Sequence, residues 1–511
     1  MAYQICEAQQ VPAFLNRSHD LLLSQTLSST DTNAHTSFKP CFEEIVKRET
    51  LGSPHDKRRS LIYRKLKEEH LFIVDTAGFY LTIDPVFCLE LGADKKDTSN
   101  FGDMTQLFKN TRGILIRGSI GEKVSFISSF YENQAFLPNY LSDFGAKYDV
   151  IPGQGRFKRF KDSGFDYAMA SGLISLNLTK FMNVQFGTGK NFIGDGYRSL
   201  AISDNAFNYP YLKVTTTFWK FRYTNLFTSF QNLNVEMPTS GTTEPRFQRK
   251  GGSYHHLEII FGKKLNIALF EGMIWNSSDK NGGFMHERDI YSFINPIPFI
   301  RPITYGLRQE NNALVGVNLR YNLADNWIVY GQLLLDDYKS DKNGFQIGIK
   351  AFDLFGVNNL HIQTEINQVS AYTYAHADSS RSFTHYNQAI AHPLGAGFFE
   401  SVSFLNWQLQ DFFVEIKFNY AVYREDSLGY HHNGKNIFKS DNSIVETGSN
   451  TVQTALMFHD IRLGYLINPK TNMQLLLGLS SRIEENKWWE KEMQYFYFGI
   501  RTYLRNQYYD F

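Results

Sequence analysis

No stretch of about 18 or more apolar residues occurs anywhere in the chain, so a conventional transmembrane helix is excluded. Net charge is nearly absent, with 52 Lys and Arg against 51 Asp and Glu. No polyanion is implied as a partner, and nucleic acid is set aside. Cysteine is scarce: Cys6, Cys41 and Cys88 are too few and too widely spaced for a disulfide framework or a zinc knuckle. The opening MAYQICEAQQ has neither the basic stretch nor the apolar core of a secretory signal, so an exported chain is expected to take its signal from upstream of Met1. Cys6 also lacks the small preceding residues that lipidation needs.

Nucleotide motifs fail as well. FGTGKNFIGDGYRSL, Phe186–Leu200, looks like a phosphate-cradling loop, but Asn191 follows Lys190 where a hydroxyl must stand, and Val184 occupies the place of the first glycine. No G-x-G-x-x-G follows a strand and opens a helix there. Nor is any Ser/His/Asp or Cys/His arrangement readable, and histidines such as His385 and His392 are scattered. The expectation is a protein that is not an enzyme and carries no cofactor and no metal.

What is abundant is aromatic. Phe, Tyr and Trp number 44, 29 and 6, or 15% of residues, while hydrophobic residues reach only 42% and mean hydropathy is −0.34. That composition, without apolar runs, is the one expected of a transmembrane β-barrel, whose strands alternate lipid-facing and lumen-facing residues.

The alternation is legible. From Asp411 to Arg424, Phe412, Val414, Ile416, Phe418, Tyr420 and Val422 share one face, with Glu415, Lys417, Asn419 and Ala421 on the other. Leu360–Asn367 and Met473–Arg482 divide in the same way, the second with Gln474, Gly478, Ser480 and Arg482 opposite its leucines. Short joins near Leu178–Phe181, Trp219–Lys220, Gly262–Leu265, Leu323–Asn326, Leu409–Asp411 and Asn468–Thr471 alternate with long stretches. Two unequal rims follow, as in outer-membrane barrels and unlike a sandwich.

About nineteen candidate strands appear, and the even-number rule removes one. Phe72–Asp84 is expected to lie outside the wall, the barrel opening near Val86 with about 18 strands. The fold class is therefore all-β, a transmembrane antiparallel barrel over residues 71–511 in the cell outer membrane, after a small, partly helical periplasmic segment over residues 1–70. In that segment Ala13–Leu27 has partly helical spacing, and Lys57-Arg58-Arg59 reads as a solvated face meeting lipid headgroups. The end KEMQYFYFGIRTYLRNQYYDF reads as a last strand followed by the terminal aromatic Phe511, the kind of end that outer-membrane assembly machinery reads.

Several stretches resemble the Wzi-like capsule assembly family of outer membrane proteins, and more closely its RemB-like, gliding-motility-associated relatives of Bacteroidota. They are HTSFKP (His35–Pro40), HLFIVDTAGFYLTIDP (His70–Pro85), the GDGYRSL stretch, YGQLLLDD (Tyr330–Asp337), HYNQAIAHPLGAGF (His385–Phe398) and RTYLRNQYYDF. The resemblance implies a barrel of about 18 strands with a small periplasmic part. It also implies a role in surface polysaccharide assembly or attachment, or in gliding and adhesion. Outer-membrane lipid, surface polysaccharide and gliding or secretion machinery are the implied partners.

The candidate ligand-binding or lumen-lining residues are Lys190, Asp195, Arg198, Asp204 and Tyr209 in the glycine-punctuated loop, with Asp336 and Asp337 at a strand end. The loop reads in two ways. Aromatics and amides there could grip a saccharide, or Arg198 and Asp195 could merely satisfy lumen-facing charges, as buried charges must. The acid pair, without a third oxygen-rich segment, argues neither for calcium nor for acid–base chemistry. In Met285–Pro302, His286-Glu287 lacks the second histidine of a zincin, and a rim or in-folded loop is expected. A diffusion or uptake channel is the alternative function.

Overall fold

The period of two in the sequence becomes a period of two in exposure. Along Phe412–Asp426, Ile416 and Phe418 are 39% and 42% exposed, while Lys417 and Asn419 are buried. The structure, a computed structural model, describes residues 12–13, 15–29, 33–42, 59–96, 107–161, 163–237, 246–277, 311–337, 341–426, 432–441, 451–503 and 505–511.

In it eighteen antiparallel strands close into one barrel. They are β1 (Phe79–Asp94), β2 (Leu107–Ile120), β3 (Val124–Phe136), β4 (Gly164–Asn177), β5 (Met182–Gly189) and β6 (Tyr209–Phe218). Next come β7 (Phe221–Met237), β8 (Arg246–Phe261), β9 (Leu265–Asn276), β10 (Asn312–Ala324), β11 (Trp327–Asp337) and β12 (Lys342–Ala351). The wall ends with β13 (Leu360–Val369), β14 (Phe398–Leu409), β15 (Phe412–Asp426), β16 (Thr451–Asn468), β17 (Met473–Glu485) and β18 (Glu490–Arg501).

Neighbours pair in chain order, and β18 closes the ring on β1 from Tyr495↔Asp94 to Arg501↔Cys88. Joins such as 178–181, 219–220, 262–264 and 410–411 lie at one rim, and the long connections 137–163, 190–208 and 370–397 leave from the other. The rule of short periplasmic turns makes the first rim periplasmic. Exposed aromatics cluster there, among them Phe181, Phe218, Trp219, Phe261, Trp327 and Phe412, as an interfacial girdle requires.

Two expectations are corrected. Phe72–Asp84 is not one excluded segment, and the wall does not open near Val86. Gly78, at φ 79°, turns the chain and separates a short arm, Phe72–Thr76, from β1, which is wall from Phe79 onward. Both pieces are apolar and extended, so period alone could not split them. The arm pairs with the start of β1, from Thr76↔Phe79 to Phe72↔Ile83, covering an edge that β18 does not reach.

The last strand stops ten residues short of the terminal aromatic Phe511. β18 ends at Arg501, and Thr502 ends the ladder: its N–H still donates to Phe87 O at 2.9 Å, but its Oγ1 takes the place of a carbonyl, accepting from Phe87 N at 2.9 Å and donating to Pro85 O at 3.0 Å. The chain then turns into the lumen, where Tyr508 and Asp510 are buried.

Part of the N-terminal segment also lies inside the barrel. Helix α1 (Arg17–Ser29) rests on lumen-facing wall residues: Lys350 Nζ donates to Asp20 at 3.1 Å and Ser24 at 3.0 Å, and Asn322 Nδ2 to Leu27 O at 3.0 Å. Helix α2 (Leu61–Lys67) sits at the periplasmic rim, and α3 (Asn139–Tyr148) belongs to the first long loop of the opposite rim. The centre is a folded core, in which Ile193, Leu200, Ile202, Tyr374, Phe383 and Ile390 from the loops pack on Tyr209, Phe230, Tyr254 and Phe270 of the wall.

The lipid face can be tested at Ile416. It stands four residues up β15 from the girdle residue Phe412, roughly 10 Å along the membrane normal for a rise of ~3.4 Å per residue and a tilt of ~40°. Ile416→Arg is expected to cost about 2–4 kcal/mol in a urea titration of the protein folded in lipid. An unchanged midpoint contradicts a lipid-facing Ile416.

Candidate functional site

The glycine-punctuated stretch is not a free loop across the mouth. β5 carries the chain as far as Gly189, and residues 190–208 then fold into the lumen, where most are buried. The close approach needs glycine: Gly194 has φ 139°, and a Cβ on Gly196 would stand 2.5 Å from Glu365 Oε2 and 2.7 Å from Gln346 Oε1. Phe192–Ile193 pairs with Phe38–Lys39, tying the loop to the N-terminal segment.

Arg198, 1% exposed, anchors the loop. Its Nη2 donates to Glu400 Oε1 at 2.6 Å, its Nε lies 3.2 Å from both Glu400 oxygens, and its Nη1 lies 3.3 Å from Asp510 Oδ1. Glu400 also accepts from Asn367 at 3.0 Å and Asn419 at 2.9 Å, and lies 2.8 Å from His392 Nε2. Asp510 accepts from the Tyr197 hydroxyl at 3.0 Å and pairs with Lys417 at 3.3 Å. Burial pushes the Asp510 carboxyl up, but Arg198 and Lys417 outweigh it and hold it below the ordinary range. The loop's main chain is held too, Tyr197 N and Arg198 N donating to Glu365 at 2.7 and 3.0 Å.

The other candidates find separate partners. Lys190 Nζ donates to Gly153 O at 2.8 Å and Asp204 O at 3.0 Å, and burial pushes its ammonium down to about 7. Asp204 accepts from the Tyr508 hydroxyl at 2.6 Å and Asn506 Nδ2 at 2.9 Å. Asp195 accepts from Thr36 Oγ1 at 3.2 Å and Asn318 Nδ2 at 2.8 Å, and the Tyr209 hydroxyl from Asn191 N at 3.0 Å. Asp336 accepts from Tyr374 N at 2.8 Å, fastening the 370–397 loop. Lys190 and Asp204 thus come together, whereas Asp195, Arg198 and Asp336 serve different contacts. The side chain of Asp337 and the stretch Met285–Pro302 lie outside the described residues. So do Lys57 and Arg58.

Sequence reasoning placed Glu365 and Asn419 on the polar faces of their strands but did not single out Glu400 or Asp510. Glu400 also sits on the polar face of an alternating strand, which is the signal that could have found it.

Above this plug, at the long-loop rim, lies a cavity of about 580 Å³ floored by Asn205, Gln388 and Leu394. Its walls carry aromatic rings from four parts of the chain: Tyr140, Phe144 and Tyr148 of α3, Tyr423 of β15, Phe438, and Trp489. Phe144 and Tyr148 are 4.6 Å apart between centroids, and Lys435 Nζ stands 3.2 Å over the Tyr423 ring. Lys147, Lys435, Lys439, Arg482 and Lys491 face it against Asp143, Glu425 and Glu484. Phe511 also lines it, its main-chain oxygen accepting from Arg482 Nε at 3.1 Å.

Breaking a buried ion pair by removing one partner costs about 3–5 kcal/mol, because a charge stays behind uncompensated. Arg198→Ala is therefore expected to insert normally, since no lipid contact changes, but to pass more ion current in planar bilayers than the unmodified barrel. Adding Glu400→Gln should lower that current again. Removal of Tyr509–Phe511 should raise it, since Asp510 goes with them. An inserted Arg198→Ala barrel of unaltered conductance shows that apolar packing alone holds the loop.

No protein-family model matches the sequence, and no curated protein matches it. In fold, 98% of the chain is similar to all of a solved structure described as Wzi, an outer membrane protein involved in group 1 capsule assembly in Escherichia coli and a carbohydrate-binding β-barrel. The TM-score is 0.56 at 11% identity, with 100% of that chain covered. OccAB2 of Acinetobacter baumannii is similar at a TM-score of 0.43 and 11% identity, over 83% of this chain and 98% of its own. OccK1 of Pseudomonas aeruginosa matches at 0.43 and 9% identity, over the same shares. Nothing in these comparisons bears on the motility-associated branch. Together with the closed wall, its apolar outer face and its aromatic girdle, the likeness to the capsule-assembly barrel identifies the fold as that of an outer-membrane β-barrel of eighteen antiparallel strands.

Proposed function

We propose that this barrel binds surface polysaccharide at its external mouth and serves capsule assembly or attachment, without enzymatic chemistry. The observation that carries the reading is the cavity of about 580 Å³ above the plug, where aromatic faces meet charged and amide groups. Pockets for small ligands span about 300–1,000 Å³ and combine apolar rings with a few placed polar groups. Sugar rings suit such a lining, since their C–H faces lie on aromatic planes while hydroxyls reach Asn205, Gln388 and Glu484. Five cations against three acids favour a saccharide that carries carboxylates. The described Wzi barrel is itself called carbohydrate-binding, which supports the reading.

Lys190, Asp195, Arg198, Asp204, Tyr209 and Asp336 then act from below, lining the lumen and holding the loops that floor the cavity. A diffusion channel needs a water-filled lumen, whereas this one holds an apolar core made from its own loops. Gliding or adhesion, and contact with gliding or secretion machinery, rest on the sequence resemblance alone.

Trp489→Ala and Phe438→Ala are each expected to weaken binding of acidic capsular oligosaccharides by about tenfold, which is ~1.4 kcal/mol per ring. Titration calorimetry on the detergent-purified protein reads this. Unaltered affinity in both variants moves the saccharide site elsewhere. A steady ion current from the unmodified protein in planar bilayers favours the channel instead.

A further inference from the structure

Helix α2 is turned the wrong way for water. Leu61, Ile62 and Leu66 are 64%, 74% and 52% exposed, more than most of the lipid-facing wall. Its basic residues point back to the protein: Arg64 and Lys65 pair with Glu69, and Lys67 Nζ donates to the Tyr465 hydroxyl at 3.1 Å. A helix that lies against an aqueous compartment puts its charges outward and its leucines inward. Here the reverse holds, and an apolar patch of this kind has an apolar neighbour.

Two observations say which neighbour. Tyr465 packs against Phe412 of the girdle at 4.9 Å, on the outer face of β15 and β16, so the Lys67 contact places α2 outside the wall at the periplasmic rim. Asn468 fixes it there, its Nδ2 donating to Lys65 O at 3.1 Å and Glu69 O at 3.0 Å. The arm that follows is continuous with the lipid face of the barrel. Phe72 and Val74 are cross-strand partners of Ile83 and Leu81, which share the outward face of β1 with Leu89 and Leu91.

We propose that α2 and the Phe72–Thr76 arm form an interfacial anchor that lies in the periplasmic leaflet of the outer membrane, with phospholipid acyl chains against Leu61, Ile62 and Leu66. Helices of this kind sink one apolar face to the boundary between headgroups and chains. Arg59 beside the helix start pairs with Glu68, so this charge too is matched within the protein and the outer side of the helix is left to its apolar residues. The anchor lies beside the seam of the barrel, where β18 pairs with β1 over only the upper part of its length. Lipid held there seals the place where the ladder is least complete.

A nitroxide on Ile62→Cys or Val74→Cys tests this, in the full chain carrying Cys6→Ser; Cys41 and Cys88 are buried. The protein is reconstituted in vesicles of phosphatidylethanolamine with a minority of phosphatidylglycerol. Leu477→Cys on the wall and Lys487→Cys in an external turn serve as references. At both anchor positions, collisions with oxygen are expected to exceed those with a water-soluble nickel chelate several-fold, as at Leu477. Chelate access matching that at Lys487 overturns the proposal. So does spin–spin broadening that grows with the protein-to-lipid ratio, because it makes the face a contact between copies.

Discussion

A closed wall of eighteen strands encloses more space than its own inward side chains can fill, and barrels of that size otherwise hold water. Everything distinctive in this structure follows from filling that space with protein. The wall then has two environments to satisfy, lipid outside and a packed interior inside, and the residue alternation provides for both. Outward positions need only be apolar, so Ile416, Leu477 and Phe498 are interchangeable in kind. Inward positions must each meet a particular partner, because polar groups removed from water cost free energy unless they are bonded.

Arg198 shows how strict that demand is. Its guanidinium is withdrawn from water between one carboxylate on the wall and one on the C-terminal segment, and each of these is shared with further donors. Pairs of this sort contribute little net stability, because desolvation offsets the attraction. What they supply is placement: only one docking of residues 190–208 gives Glu400, Glu365 and Asp510 their cations and amides at once. The apolar residues of the same loop, Ile193, Leu200 and Ile202, contribute the larger free energy by burial. Fixing and stabilising are thus divided between neighbouring residues.

This division also explains what could be read in advance. Strand identity and the two faces of Phe412–Asp426 depend on local periodicity, which a sequence displays directly. Rim asymmetry is equally local. The split at Gly78 was hidden because the arm and β1 are apolar on both sides of the turn, and only the missing partner of β1 distinguishes them. The departure at Thr502 was hidden because Phe496–Leu504 keeps alternating past the point where the ladder stops. For the site, Lys190, Asp195, Arg198 and Asp204 stood out as charges in a glycine-rich loop. Their partners did not, since Glu400 lies 202 residues from Arg198 and Asp510 lies 312 residues from it. The mouth cavity assembles from α3, strand ends and separate loops, and no periodic signal spans such pieces.

The plug and the mouth are mechanically one body. Asp510 closes the Arg198 network, and the next residue, Phe511, packs its ring 5.2 Å from that of Phe144 while its main chain is held by Arg482. Asn205 and Gln388, which floor the cavity, belong to the two loops that the buried network and Asp336 pin to the wall. Rigid presentation of aromatic rings lowers the entropy lost when a flexible saccharide docks. Long external loops are ordinarily the most mobile part of a barrel, and here their inner ends are immobilised by burial rather than by mutual contact. Under the proposed reading, a polysaccharide-binding surface at the mouth takes its preorganisation from the filled lumen beneath it.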